Sequence, residues 1–213
     1  MKKVWSIFCI ALILAMTGCG NIRGESKNNI VDEKFMLYSM QWGEVWENVK
    51  ENPLLSSAKV IKDDGNIFAV EIEDTEFLGI NGKTVLMFSV SENSFPLLGL
   101  QKAYFLYDNS NEGKLIAKGK EIYGERKTFY LDKNGIENPL NLPSWFSEKT
   151  LEDSLTEKEM EHYLEILDGV EKTRIDAIMR GPLVVISVDL DKDMVVFHGD
   201  DAAKVKNLRD ADK

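Results

Sequence analysis

The side chains able to do chemistry are few in this chain of 213 residues, with two histidines and two cysteines. His198 is followed closely by Asp200 and Asp201 in VVFHGDD, a grouping able to ligate a divalent metal. The competing reading makes Asp200 or Asp201 the N-cap of a short helix. His162 lies off the apolar face of a predicted helix and reads as solvated. Upstream, Asp189, Asp191, Asp193 and Asp200 fall at positions 1, 3, 5 and 12 of a calcium-loop pattern. Met194 stands where position 6 requires glycine, Asp200 replaces the bidentate glutamate, and the flanking VVISVDL and MVVFHG are strand-like where that loop needs helices. An acidic turn between two strands is therefore expected, and a solute- or divalent-metal site on 189–200 is the alternative. No G-x-S-x-G is present and no serine has a motif-level link to either histidine, so an enzyme is not expected. A hydrolase of unrecognised type is the third and weakest reading. Trp145-Phe146 follows Pro139 and Pro143 and reads as a loop-borne aromatic pair, a candidate interaction surface.

The cysteines need the first residues of the chain. Lys2-Lys3 precede an apolar run from Val4 to about Met16, too short to span a bilayer and of the length of a secretory signal core. The run ends in Met16-Thr17-Gly18-Cys19, which resembles the lipobox of bacterial lipoprotein precursors, with methionine in place of the commoner leucine. The resemblance implies a diacylglyceryl group on the Cys19 thiol and cleavage between Gly18 and Cys19. Two acyl chains anchor stably where one holds marginally, since each buried methylene contributes about 0.8 kcal/mol. Cleavage would remove Cys9 and leave Cys19 as the one remaining cysteine, committed to lipid. Internal disulfides, thiol catalysis and cysteine metal sites then fall away, and no cofactor beyond that covalent lipid is expected. The expected location is the cell membrane, lipid-anchored on the extracytoplasmic face.

Charge agrees with a lipid anchor and excludes other modes. With 26 Lys+Arg against 36 Asp+Glu the net charge is -10, and loss of the leader's two lysines deepens it. Such a chain has no general footprint for nucleic acid and is repelled by anionic head groups.

Elements that would position these residues are visible in the periodicity. Residues 19–34 are polar and read as a flexible tether, and the folded region is expected over 35–213, with halves at 35–110 and 111–213. Trp42, Val45, Trp46 and Val49 share one face of a predicted helix ending at Asn52-Pro53. Phe68, Val70 and Ile72 alternate with polar neighbours as in a half-buried strand. Asp64-Gly65 and Asn81-Gly82 read as hairpin turns, and KAYFLY as a further strand. A helix is expected over Glu112–Tyr123, weakened by Gly119 and capped by Gly124. RKTFYLDKNG reads as strand and turn and IENPLNLPSW as a loop. Thr156 with Glu159 is a capping-box signature before Met160, Tyr163, Leu164 and Leu167. Three apolar-rich segments and a short helix over 202–208 complete the chain. Runs of strands with helices outside them predict an α+β fold, helices packed on antiparallel meanders, with two similar halves.

FMLYSMQWGEVWENVKENP, the strands after it and IYGE resemble small secreted Gram-positive lipoproteins, whose fold is similar to the helix-plus-sheet modules of the beta-lactamase-inhibitory-protein-like group. The motifs carrying the resemblance are Gln41-Trp42-Gly43 and Tyr123-Gly124, the latter followed in this chain by Glu125 where proline is frequent. It implies binding of an envelope or extracellular protein, with no catalytic residues to assign.

Overall fold

The computed structural model describes residues 29–132 and 134–213. The leader, Gly18, Cys19 and the first part of the expected tether lie outside the described residues. The folded body begins ahead of Phe35: Val31 is only 5% exposed and belongs to the core. The tether therefore ends earlier than composition suggests, because one apolar pair, Ile30-Val31, is enough to dock it.

Among the described residues the fold is α+β, with six helices and one eight-stranded antiparallel sheet. A single helical turn, α1 (Trp46–Val49), precedes β1 (Lys59–Asp63), β2 (Ile67–Phe77), β3 (Ile80–Ser89) and β4 (Gly99–Tyr107). Helix α2 (Glu112–Tyr123) leads to β5 (Lys127–Leu131) and β6 (Glu137–Phe146). Then come α3 (Leu151–Ser154), α4 (Glu157–Ile166) and α5 (Lys172–Met179), and after them β7 (Val185–Asp189), β8 (Met194–His198) and α6 (Asp200–Ala211). The strand order is β1-β2-β3-β4-β8-β7-β6-β5. Two four-stranded meanders thus meet at a β4–β8 seam. Each meander is followed in the chain by a helix, α2 after β4 and α6 after β8.

Register explains why one face is the core. Val60, Val70, Leu86, Ala103, Phe197, Ile186 and Trp145 are successive cross-strand partners, all apolar. All but Val60 are buried. Helices α2 and α6 cover this face. The Trp145 ring lies where a side chain on Gly119 of α2 would stand, 2.2 Å from an ideal Cβ, and the Trp42 ring lies 2.0 Å from one on Gly199 at the start of α6. The indole Nε1 of Trp145 donates to the Gly124 carbonyl at 2.8 Å, and that of Trp42 to the Phe35 carbonyl at 2.9 Å. Gly119 is therefore a packing requirement more than a weakness of α2.

The folded chain corrects several expectations. The helix over Trp42–Val49 shrinks to its last turn because Gly43 adopts φ +84° and gives its N–H to the Leu100 carbonyl, peeling Trp42 away from the helix axis. The hairpin turn expected at Asn81-Gly82 is instead Leu78-Gly79, both at positive φ. Gly82 lies inside β3, where a Cβ would stand 2.2 Å from the Leu106 carbonyl oxygen and 2.6 Å from the Phe105 ring. IENPLNLPSW contributes most of β6. Its β7 partners begin only at Ser144, so Pro139 and Pro143 fall where one flank is unpaired and a missing N–H breaks no ladder on that side. The cap of α6 is Gly199, with Asp200 and Asp201 in its first turn and no side-chain cap bond. The Thr156–Glu159 capping box and the Glu112–Tyr123 helix form as expected.

Candidate functional site: the half-exposed sheet face

A one-residue step in register turns every side chain to the opposite face. The rung next to the apolar one is Lys59, Glu71, Val85, Tyr104, Val196, Ser187, Ser144 and Lys127, unbroken across all eight strands. At about 4.8 Å per strand it spans about 34 Å. Lysines stand at both ends and apolar groups at the seam. The neighbouring rungs add Met87, Lys102, His198, Val185 and Phe146 on one side and Lys83, Leu106, Met194 and Asp189 on the other.

The two meanders treat this face differently. On β3, β4 and the near end of β8, Val85, Met87, Tyr104, Leu106 and Met194 remain half-exposed. On β6 and β7, Ser144 and Ser187 are buried and bonded to each other at 2.9 Å. Between its pairings with Lys127 and Phe129, the partner on β6 moves from Ser144 to Pro139, so β6 bends sharply there. The hairpin accordingly folds back on Phe146. Tyr130 contacts that ring edge-on at 5.9 Å, Lys127 Nζ lies 5.2 Å over it, and Asp132 bonds Arg180 beyond α5 at 3.5 Å.

The two ends of the exposed part differ in charge. At the end formed by the β2–β3 and β7–β8 turns, Glu73, Asp74, Asn81, Lys83, Leu106 and Asp108 line a shallow open hollow of about 430 Å³. Lys83 is held by Glu71 at 3.1 Å, and that bond, then the charges of Glu71 and Glu73, raise its pKa. Asp193 lies beside this end, its carbonyl accepting the Tyr107 N–H at 3.1 Å. The opposite end carries Lys102 and His198. Burial first, and Lys102 second, push His198 down to about 4, so the ring is neutral near pH 7. Burial raises the Asp200 carboxyl, against the attraction of Lys102 and Lys204.

The residues singled out from sequence are scattered over the fold. Trp145 is 2% exposed and belongs to the core, so the expected exposed Trp145-Phe146 surface is corrected: strand alternation turns the indole inward and leaves Phe146 under its own hairpin. Asp189, Asp191 and Asp193 lie at the β7–β8 turn, with Lys192 paired to Asp189 at 2.7 Å and Asp193 in the left-handed region. Asp200 lies beyond the far end of the five-residue strand β8, roughly 17 Å away, so the four aspartates do not come together. Among the described residues no three His, Cys, Asp or Glu side chains are grouped to hold a metal ion. His162 lies against Phe95, ring centroids 5.8 Å apart, so it is partly packed where a solvated position was expected.

Sequence reasoning missed Val85, Met87, Tyr104, Leu106 and Met194 as surface candidates. TVLMFSV is apolar on both faces, which reads as a doubly buried strand. The available signal was that every helix in the element order could be accommodated on one face, leaving the other uncovered. Among protein-family models, curated proteins and solved structures, none matches this chain.

Proposed function

We propose that the chain is a membrane-tethered extracytoplasmic lipoprotein, acylated on Cys19, whose folded body is a non-enzymatic module that binds another envelope or extracellular protein. The observation that carries the location is Met16-Thr17-Gly18-Cys19 closing a short apolar run behind two lysines. Binding is supported by the half-exposed Val85, Met87, Tyr104, Leu106 and Met194, apolar groups held side by side on a rigid sheet.

Two experiments test the two parts. Cys19→Ser should release the protein from the membrane fraction and abolish labelling by a lipid precursor; retention with labelling unchanged sinks the anchor. A photo-crosslinking amino acid at Tyr104 should capture a discrete protein adduct on intact cells, while the same group at exposed Glu161 on α4 should not. Equal adducts from both positions would remove the sheet face from the reading.

A further inference from the structure

The half-exposed face also constrains the chemistry of its occupant, provided that the occupant is a protein as proposed above. From the geometry we infer that it is a basic, apolar protein segment, seated with aliphatic or aromatic side chains over Val85, Tyr104, Leu106 and Met194 and cations toward the acidic end of the sheet.

Three observations converge. The floor is apolar: Leu106 and Met194 are direct cross-strand partners, as are Val85 and Tyr104. It is bordered by carboxylates from separate elements, Glu73 and Asp74 on β2, Asp108 after β4, and Asp191 and Asp193 in the β7–β8 turn. These acids are spaced along a rim and do not converge to hold a metal ion, so they match charges distributed along a polypeptide better than a single ion. Lys83 and Lys192 at that end are engaged by other carboxylates, Glu71 at 3.1 Å and Asp189 at 2.7 Å, which leaves Glu73, Asp74, Asp108, Asp191 and Asp193 in no such pairing among the described residues. A third support is the chain's net charge of -10, which steers a cationic partner inward and repels an acidic one. Lys102 at the opposite end then sets direction, favouring a segment whose cations lie toward Asp108 and away from β8's His198 end. The apolar floor argues against a purely ionic polymer, which would leave it wet.

The test uses the folded protein and defined probes: a synthetic nonapeptide alternating lysine with tyrosine, the same peptide with glutamate for lysine, and one alternating lysine with serine. The lysine–tyrosine peptide should shift the amide resonances of Val85, Tyr104, Leu106 and Met194, with an affinity that falls as salt rises. Combined Glu73→Lys and Asp191→Lys should weaken it at least about tenfold, as loss of local charge complementarity predicts. Glu161→Lys with Glu165→Lys, an equal charge change on exposed positions of α4, should weaken it less than about twofold. Shifts mapping to α4, equal losses in both double variants, or tighter binding of the glutamate peptide would overturn the charge assignment. Equal binding of the lysine–serine peptide would overturn the apolar one. If these peptides fail while the Tyr104 photo-crosslink persists on cells, only the partner chemistry is wrong; if the crosslink also fails, the protein-binding reading falls with it.

Discussion

The two meanders share a topology and differ in how they use it. In the first, β2, β3 and β4 run 11, 10 and 9 residues, their connections are short, and one face is left half-exposed. In the second, β5, β7 and β8 are five residues each, α3 to α5 are inserted between β6 and β7, and the β5–β6 hairpin folds over Phe146. One unit is thus a platform, and the other uses its extra chain to close itself. Strand number alone does not determine whether a sheet offers a surface; the lengths and paths of the connections between strands do.

The units are also clamped to each other. Trp42, ahead of β1, fills the space over Gly199 in the second unit, and Trp145 in β6 fills the space over Gly119 in the helix that ends the first. The sharpest way to break the comparison is to remove one clamp at a time. Trp42→Ala and Trp145→Ala should each cost about 3–5 kcal/mol, the range for deleting a buried large aromatic. Because each ring bridges both units, denaturant melts of either variant should remain a single transition; a two-step melt would show that the units fold separately. Gly199→Ala and Gly119→Ala test the same contacts from the opposite side. Overpacking should cost about 1–3 kcal/mol at each site, and pairing Gly119→Ala with a smaller residue at Trp145 should recover part of the loss in the same melts.

Acid should separate the units next. His198 titrates near 4 in the folded protein, below the ordinary histidine value, because burial and then Lys102 disfavour its charged form. The unfolded chain therefore takes up the proton first, and stability falls as pH drops from about 6.5 toward 4, by at most about 3 kcal/mol and by less where solvent screens this partly exposed ring. Asp200 and Asp201 act in the opposite sense. Burial raises both, so protonation relieves a cost and offsets part of the loss at lower pH. His198→Gln should flatten the dependence of Tm on pH across that window, and hydrogen exchange should accelerate in β8 before β3. The smallest expected effect is at α4: Thr156→Ala removes the capping box and should cost about 1 kcal/mol, with no change in amide shifts at Tyr104.

The features legible in the sequence are local. Thr156 and Glu159 find each other within one turn, and Glu112–Tyr123 is bounded by its own periodicity and Gly124, so both are read without knowledge of the rest. Asp64-Gly65 turns where expected, with the Asp64 carboxylate accepting the Asn66 and Ile67 amides at 3.0 and 2.8 Å. The misread features all depend on long-range contacts. Gly82 looks like a turn residue until Phe105, on another strand, is placed against it. Pro139 and Pro143 suggest a loop until the partial pairing of β6 with β7 is known. Trp42 fits a helical face until Leu100 claims the Gly43 amide. The candidate face is hidden for the same reason: whether an apolar side chain on β3 is covered depends on where helices distant in sequence come to rest.

The packing of Val31 and Trp42 against α6 has a mechanical meaning. Both line a small void whose opposite wall is Ala202, so the point where the chain enters the body is sewn to its last helix. A pull at Asn29 therefore reaches first the Trp42–Gly199 contact that closes the whole domain, ahead of any outer strand that could unzip. If the chain is tethered through its first residues as proposed, load enters the body at a contact that joins both meanders and not at an edge strand.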